Sequence, residues 1–310
     1  MYLIVKNLSK KYDKNIVFNN LNFSLNKGEI ISIIGSSGSG KTTLLKCISG
    51  LCDIDTGEIK IDSKKIQNLE PNKRNIGYVF QESPLFPHLN VMDNILFNMK
   101  VFDNKKLDFL LEKIQIKQLK NKYPYEISGG ENQRVAVARS LIRNPSLLLL
   151  DEPFNNLDNK IKNETKELVF DIIKKTNTTT IIVNHDTQES LEISDKIMVL
   201  EKDTYNMLGT PHEVYLKPES LEIAKLFGEM NCISLNKEQI YCRPHEMSVV
   251  DKSNIKAKVI ESKFLGSHYK IIAKFEKNKI IFFSNESIKK NSIIFLKINQ
   301  KHKFNFSKKI

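Results

Sequence analysis

The sequence has 310 residues, 40% of them hydrophobic, and a formal net charge of +12. At roughly 100–200 residues per domain, this length suggests about two domains. No apolar run approaches the roughly 18 residues needed to cross a bilayer, and the N-terminus lacks the basic-then-apolar plan of a signal peptide. We therefore expect a soluble cytoplasmic protein whose membrane attachment, if any, comes through a partner. The four cysteines form no Cys-x-x-Cys pair, which favours free thiols over a metal site or a disulfide framework.

The first 228 residues alternate strand and helix patterns. We predict two short edge strands, a buried strand, a helix and another strand, in this order: Met1–Val5, Ile16–Leu25, Glu29–Ile34, Lys41–Ser49 and Ile76–Phe80. Residues 90–143 are mostly helical in pattern, because apolar residues recur at spacings of three and four. A strand, a helix, a strand and a pair of short helices follow at Leu147–Leu150, Lys160–Lys175, Thr180–Val183 and Pro211–Phe227. This alternation predicts an α/β fold with a parallel sheet.

After about residue 229 the pattern changes to short strands separated by turns, which predicts a small all-β module: Ile255–Ser262, Tyr269–Phe275, Ile280–Phe283 and Ile293–Ile298. Residues 229–310 hold 17 basic and seven acidic side chains, and so +10 of the net charge. Such a tail could bind nucleic acid or acidic headgroups. We favour a lysine-rich solvated surface instead, because the basic residues alternate with Ile, Val and Phe as the outward positions of strands do.

A glycine-rich segment before the helix at Lys41–Ser49 fits the pattern G-x-x-x-x-G-K-[ST] with Gly35, Ser36, Ser37, Gly38, Ser39, Gly40, Lys41 and Thr42. The glycines let successive backbone N–H groups point into one concavity, and the helix end adds a positive dipole. Lys41 places an ammonium against the β- and γ-phosphates of a nucleotide. The Thr42 hydroxyl can coordinate Mg²⁺, and Thr43 is expected to help hold a phosphate.

The apolar strand Leu147–Leu150 leads directly into Asp151 and Glu152. Asp151, at the end of a buried strand, can hold Mg²⁺ through water, and Glu152 is a candidate to polarise an attacking water. An Asp-Glu pair on its own could equally begin a helix, but the phosphate loop favours the catalytic interpretation. Together the two features predict a P-loop ATPase.

The sequence ISGGENQR at residues 127–134 resembles the LSGGQ signature of ABC ATPases and precedes the Leu147–Asp151 segment, as in that family. A serine and two glycines at a helix N-terminus make a second anion-binding surface. The resemblance implies a head-to-tail dimer with two ATP molecules at its interface, in which this helix end of one chain meets the γ-phosphate held by the other. The residues concerned are Ser128, Gly129, Gly130 and Glu131. Glu131 stands where the family usually has Gln.

Further marks of the same family fall in order along the chain. Tyr12 matches the aromatic residue that stacks on adenine, and Gln81 matches the glutamine that touches Mg²⁺ and senses the transmembrane partner. Asp158, the last residue of Asn156-Leu157-Asp158, lies in the match to the D-loop, and His185 matches the switch histidine that contacts the γ-phosphate. The resemblance thus implies Mg²⁺ as the cofactor, with ligands among Thr42, Gln81 and Asp151, and catalysis by Lys41, Glu152 and His185.

Three stretches point to importers within this family. SPLFPHLNVMDNI at residues 83–95 is similar to importer subunits that often read LFPHLTVxxNI, a region that receives coupling helices of membrane subunits. DEPFNNLD at residues 151–158 resembles the DEPFSNLD of ferric-iron, polyamine, sulfate and sugar importers. Tyr241-Cys242-Arg243-Pro244-His245 is similar to the entry of a TOBE domain, an OB-like β-barrel, with His245 where Glu is usual.

The resemblance implies a P-loop ABC ATPase core with a mixed sheet at residues 1–228, a helical subdomain at about 85–145, and a TOBE-like β domain at 229–310. It implies a homodimer, or a pair with a similar ATPase, at the cytoplasmic face of the cell membrane. Integral permease subunits would be its direct partners and an extracytoplasmic solute-binding protein an indirect one. Ferric iron is our first expectation for the cargo, while polyamine, sulfate or molybdate, and sugar stay open. The alternative from another class is a non-transport ABC ATPase whose tail binds nucleic acid.

Overall fold

The computed structural model describes residues 1–82, 84–155, 157–201, 204–235 and 238–298. Ser83 and Asn156, which belong to two of the motifs above, lie outside the described residues. The chain divides into two compact units, Met1–Pro211 and His212–Ile310. The domain boundary predicted after residue 228 stays a prediction. Within the described ranges, no helix combines the length and the apolar composition that crossing a bilayer requires.

The first unit contains an antiparallel sheet with the strand order β2-β1-β4-β5 and a larger mixed sheet with the order β10-β9-β3-β8-β7-β6. The strands of the antiparallel sheet are β1 (Leu3–Tyr12), β2 (Asn15–Leu25), β4 (Thr56–Ile61) and β5 (Lys64–Lys65). Those of the mixed sheet are β3 (Ile30–Ile34), β6 (Ile76–Val79), β7 (Leu147–Asp151), β8 (Thr180–Val183), β9 (Lys196–Glu201) and β10 (Thr204–Gly209). All neighbours in it are parallel except β9 and β10, so the predicted α/β fold is confirmed.

The helices of the first unit are α1 (Lys41–Ser49), α2 (Val91–Ile95), α3 (Asn104–Lys113), α4 (Gly129–Leu141), α5 (Asn159–Lys175) and α6 (Thr187–Ile193). Short 3₁₀ turns lie at Pro71–Lys73, Lys117–Leu119 and Pro124–Glu126. Polar side chains set several of the starts, because their oxygens accept from backbone N–H groups that have no partner inside the helix. Asp103, Asp158 and Asp186 do this for α3, α5 and α6.

The strand β7 separates two apolar cores. Leu147 and Leu149 pack with α1 and the antiparallel sheet, while Leu148 and Leu150 pack with the helices α2 to α5. This division follows from the two-residue period of a strand, since successive side chains point to opposite faces. The uninterrupted leucine run therefore reads as a strand that is covered on both faces.

The first strand is longer than predicted, since β1 continues past Val5 to Tyr12. Its pairing with β2 shifts register between Val5 and Leu8. Asn7 there adopts the left-handed conformation, with φ of 49°, which asparagine tolerates better than most residues. This bulge lets both Val5 and Leu8 face the core, where a regular alternation from Val5 would have turned Leu8 outward.

The second unit carries two short helices followed by antiparallel strands. The helices are α7 (Pro211–Leu216) and α8 (Leu221–Leu226). The strands are β11 (Asn231–Leu235), β12 (Glu238–Cys242), β13 (Met247–Val250), β14 (Ile255–Phe264), β15 (Tyr269–Phe275), β16 (Asn278–Ser284) and β17 (Ile293–Ile298). They form a two-stranded sheet, β11-β12, and a five-stranded sheet with the order β13-β17-β14-β15-β16. In β14, Lys256 and Lys258 are exposed between buried Ala257 and Val259, as expected for outward lysines on a strand.

Arg243 joins the two helices to the strands within this second unit. The residue is only 1% exposed, and its guanidinium donates to the backbone carbonyls of Tyr215, Ala224 and Phe227 at 3.1, 3.3 and 3.4 Å. Its terminal carbon lies 3.9 Å from the ring centroid of Tyr215, a cation–π contact. The Arg243 backbone N–H is in turn bound by the Glu246 carboxylate at 2.8 Å.

We predict that Arg243→Ala lowers the free energy of unfolding of the second unit by about 3 kcal/mol, because three buried carbonyls lose their charged donor. Urea unfolding followed by circular dichroism measures the loss, and proteolysis within residues 212–228 should accelerate. Lys252→Ala, which removes an exposed lysine of the same unit, is the control. Equal urea midpoints for the two variants would refute this role of Arg243.

Candidate functional site

The glycine-rich loop between β3 and α1 forms a close backbone turn. A Cβ added at Gly35 would lie 1.9 Å from the carbonyl oxygen of Leu200, and Gly40, just before α1, has a φ of 95°. Only glycine meets both demands without strain. No side chain of the described residues caps the N-terminus of α1, so its backbone N–H groups remain available for an anion.

Lys41 and Ser39 add two further polar side chains at this loop. The Lys41 ammonium donates to the carbonyl oxygens of Gly35 and Ser36 at 2.9 and 2.8 Å. Burial lowers the pKa of Lys41, against the opposing effect of the Glu152 and Asp151 carboxylates. Ser39 Oγ is buried and lacks a hydrogen-bond partner among the described residues. A buried hydroxyl without a partner is costly, and a bound phosphate would satisfy it.

The carboxylate of Asp151 binds two hydroxyl groups. Thr42 Oγ1 donates to Oδ1 and the Tyr78 hydroxyl donates to Oδ2, both at 3.0 Å. In the described part of the chain no group of three or more His, Cys, Asp or Glu side chains could hold a metal ion. Mg²⁺ needs no such cage, because it usually binds one or two protein oxygens together with water and substrate phosphates. The hard oxygens of Thr42 and Asp151 fit that ion.

Glu152 follows Asp151 but leaves the strand in a different backbone conformation. Its φ is 47°, which is uncommon for a residue other than glycine, and such strain is concentrated at functional sites. Its N–H donates to the carbonyl oxygen of Val183 at 3.0 Å. His185 Nε2 lies 2.6 Å from Glu152 Oε1, and Asn155 Nδ2 donates to Oε2 at 2.6 Å. Glu152 is thus held from three sides with its carboxylate paired to a histidine, which suits it to accept or direct a proton.

The signature segment begins helix α4. Ser128 Oγ accepts from the Glu131 N–H at 3.3 Å, and the Glu131 carboxylate accepts from the Ser128 N–H at 2.7 Å, which makes a capping box. A Cβ at Gly130 would lie 2.4 Å from Ile161 Cγ2 in α5. Gly130 is therefore required for close helix packing, and Glu131, at the position of the family's Gln, has a structural task within its own chain.

The other predicted site residues lie at several places in the first unit. Tyr12 is 49% exposed, its hydroxyl lies 3.3 Å from Cys52 Sγ, and Lys10 Nζ lies 5.0 Å from its ring centroid. Gln81 is exposed and lines a cavity of about 300 Å³ together with Gly129 and Pro153. Ser36, Ser37, Gly38 and Thr42 are exposed, and Thr43 is partly buried. Asp158 accepts from the Ile161 N–H at 3.2 Å as the cap of α5.

The structure thus joins Thr42 to Asp151 and Glu152 to His185 at one end of the mixed sheet, with Lys41 close enough to feel the charge of both carboxylates. Sequence reasoning missed two neighbours of these carboxylates, Tyr78 and Asn155. For Asn155 a signal existed, because it stands where the importer wording DEPFSNLD has serine. For Tyr78 the sequence contains no signal, since its contact depends on how β6 pairs with β7.

An apolar groove of about 670 Å³ lies beside the end of β6. Its aromatic lining includes Phe80 and Phe97, which are 39% and 43% exposed, and Phe86, whose ring centroid lies 4.3 Å from that of Phe97. Arg139 lines it too and donates to the carbonyl oxygen of Pro84 at 2.8 Å. Exposed aromatic rings gathered in a groove are typical of a surface that binds a protein partner.

The model of the ABC transporter family matches residues 18–155. Among curated proteins, the chain is 36% identical to a sulfate/thiosulfate import ATP-binding protein of Mesostigma viride, over 86% of this chain and 85% of that protein. It is 34% identical to an Fe(3+) ions import ATP-binding protein of Fusobacterium nucleatum, over 96% and 91%. It is also 34% identical to a spermidine/putrescine import ATP-binding protein of Mycoplasma capricolum, over 92% of each.

Two solved structures are similar to this chain in fold. The ATP-binding cassette MJ0796, in a dimeric post-hydrolysis state bound to ADP and Pi, is 28% identical with a TM-score of 0.59, and the match covers 67% of this chain and 98% of that one. The structure of cbiO1 from Clostridium perfringens, described as part of the ABC transporter complex cbiONQ, is 30% identical with a TM-score of 0.63, over 69% and 90%.

We predict that Asn155→Asp lowers kcat for ATP hydrolysis about tenfold or more, because it replaces a hydrogen-bond donor 2.6 Å from Glu152 with a second carboxylate. The KM for ATP should change little, since Asn155 contacts Glu152 and not the phosphate loop. Steady-state phosphate release measures both constants. Asn155→Ser, which keeps a donor, is the matched control and should lose less; an Asp variant as active as the parent would contradict the role of this contact.

Proposed function

Since the chain belongs to the family of ABC transporter ATPases, we propose that it is the ATP-hydrolysing subunit of a solute importer and works as one half of a dimer. One observation carries the proposal: Thr42 donates to Asp151, and His185 Nε2 lies 2.6 Å from Glu152 Oε1, beside the buried Lys41. This set has a phosphate-binding cation, oxygens for a metal and a carboxylate that can direct water, which are the parts that phosphoryl transfer requires.

In this proposal the loop Gly35–Thr43 holds the triphosphate, and Lys41 leaves the carbonyls of Gly35 and Ser36 for the β- and γ-phosphates. Thr42 and Asp151 would hold Mg²⁺, with Gln81 as a further ligand. Bound there, Mg²⁺ would neutralise charge on the phosphate oxygens. Tyr12, half-exposed at the end of β1, would stack on the adenine.

Glu152 is our candidate for the residue that orients and polarises water, and His185 for the residue that contacts the γ-phosphate. The Glu152 carboxylate is bound by two side chains, so little reorientation is needed before it acts. Preorganisation of this kind is what lowers a barrier that depends on position and charge.

Dimerisation would complete the site. Ser128 caps an α4 terminus whose first residues are Gly129 and Gly130, and such a helix end attracts anions. We propose that this end, with Glu131 and the D-loop residue Asp158, reaches the nucleotide of a second copy or of a similar ATPase. The dimeric state of the cassette MJ0796, with ADP and Pi, supports a dimer as the working form.

The groove lined by Phe80, Phe86 and Phe97 is our candidate surface for integral permease subunits. Phe80 of this groove directly precedes Gln81 in the sequence. The residue that we propose as a metal ligand and part of the proposed docking surface therefore belong to one segment. This partnership would place the protein at the cytoplasmic face of the membrane, with an extracytoplasmic solute-binding protein as an indirect partner.

Residues 229–310, which contain the strands of the second unit, are our candidate TOBE-like domain. Their antiparallel strands and the buried Arg243 of the RPH segment support that assignment. Ferric iron remains our first proposal for the cargo, on the wording DEPFNNLD. Relatives named for sulfate/thiosulfate, Fe(3+) and spermidine/putrescine import are similarly identical, at 34–36%, and the ATPase itself would not touch the cargo.

We predict that Glu152→Gln binds Mg·ATP, turns over at least about 100-fold more slowly and accumulates as a dimer, because ATP persists at the interface. Size-exclusion chromatography with light scattering, with and without Mg·ATP, gives the oligomeric state. Lys41→Ala should lose nucleotide affinity and stay monomeric. A Glu152→Gln variant that remains monomeric at high concentration with Mg·ATP would overturn the proposed dimer.

We predict that Phe97→Glu abolishes co-purification of a polytopic membrane protein with the tagged chain from its native cells, because a charge would be buried against the partner. Mass spectrometry of the detergent-extracted complex identifies the partner. Phe109→Glu, at another exposed phenylalanine outside the groove, is the matched control. Equal recovery with both variants would exclude this groove as the docking surface.

A further inference from the structure

Tyr78 lies between the carboxylate of Asp151 and the aromatic groove, and it contacts both. Its hydroxyl donates to Asp151 Oδ2 at 3.0 Å. Its ring stacks on that of Phe80, with centroids 4.2 Å apart and an interplanar angle of 28°. Tyr78 itself lines the groove beside Phe80. A single rigid side chain thus spans the distance from the candidate metal site to the candidate docking surface.

The Tyr78 hydroxyl is suited to fix the orientation of Asp151. It occupies one carboxylate oxygen while Thr42 occupies the other. Thr42 could hold a metal ion through an oxygen lone pair and keep its hydrogen bond to Oδ1, while Tyr78 holds Oδ2, so both oxygens of the carboxylate would stay oriented. Hydrogen bonds to a metal-binding carboxylate commonly tune its affinity for the ion.

The ring of Tyr78 is placed to respond when a partner occupies the groove. It belongs to β6, which pairs with β7 in register from Ile76 to Val79, so its backbone cannot shift independently of the strand that carries Asp151. Phe80, in contrast, follows the strand and is 39% exposed. A partner that presses on Phe80 would therefore act on the stacked ring of Tyr78 before it could move the backbone of β6.

We propose that Tyr78 is a positioning residue that orients Asp151 toward the metal ion and couples that carboxylate to the occupancy of the groove. The inference rests on the proposed function, because the metal at Asp151 and the partner in the groove are parts of it. Phe80, whose ring stacks on that of Tyr78, is the second residue of this coupling. We propose no contact of Tyr78 or Phe80 with the nucleotide.

The first test measures binding of Mn²⁺, a paramagnetic substitute for Mg²⁺, to the full chain with a non-hydrolysable ATP analogue, by electron paramagnetic resonance. Tyr78→Phe keeps the ring and removes the hydroxyl, and we expect the Kd for Mn²⁺ to rise about tenfold. Affinity for the analogue in EDTA should not change, because the phosphate loop is intact. Tyr125→Phe, at a tyrosine that is 78% exposed, is the matched control. An unchanged Kd for Mn²⁺ in Tyr78→Phe overturns the orienting role.

Asp151→Asn separates this inference from the proposed function. If it leaves Mn²⁺ binding unchanged, the metal site itself is wrongly assigned. If it abolishes binding while Tyr78→Phe has no effect, the metal site stands and only the role of Tyr78 falls. Thermal unfolding of the apo chain shows whether each variant is folded, and we expect Tyr78→Phe to retain the parent's cooperative transition.

The coupling is tested by a double-mutant cycle with Phe80→Ala. We expect this variant to weaken Mn²⁺ binding about threefold in the parent and to have no effect in the Tyr78→Phe background, because the hydroxyl is then missing. Independent effects of the two substitutions would overturn the link between groove and carboxylate.

Discussion

In the mixed sheet β8 lies between β3 and β7, and all three strands run in the same direction. The segments that follow parallel strands leave the sheet at one edge, which is where α/β proteins bind ligands. The phosphate loop follows β3, Glu152 follows β7 and His185 follows β8. The pairing of these strands therefore brings three segments that are far apart in the sequence to the same edge of the sheet.

Asp151 and Glu152 show how one change in backbone conformation gives neighbouring carboxylates different surroundings. Asp151 ends β7 and is buried against hydroxyl groups. Glu152, with its positive φ, turns toward His185 and Asn155 instead. A regular strand would send successive side chains to opposite faces of the sheet, and the two acids could not serve one site. The strained conformation is stabilised by the bond from Glu152 N–H to Val183 O.

Site residues that belong to a local sequence motif could be predicted from the sequence. Contacts that depend on how two strands pair could not. The loop around Lys41, the pair of acids and the strand before His185 each have a local pattern, and the structure brings them together. The extension of β1 depends on a bulge at Asn7, and polar residues there break the alternation that the sequence reading relied on. The role of Tyr78 could not be predicted either, because a tyrosine is common in strands. Only the register of β6 on β7 shows that its hydroxyl reaches Asp151.

The signature end of α4 is connected by contacts to the segment that carries His185. Gly130 packs directly on Ile161 in the first turn of α5. The next residue, Lys162, pairs with Asp186 at 3.4 Å and with the buried Glu189 at 3.1 Å, and Asp186 immediately follows His185. The first turn of α5 therefore touches the signature helix and, through an ion pair, the segment that carries the histidine. Because packed interiors deform little, these contacts connect the signature end of α4 to the His185 segment through the first turn of α5, within one chain.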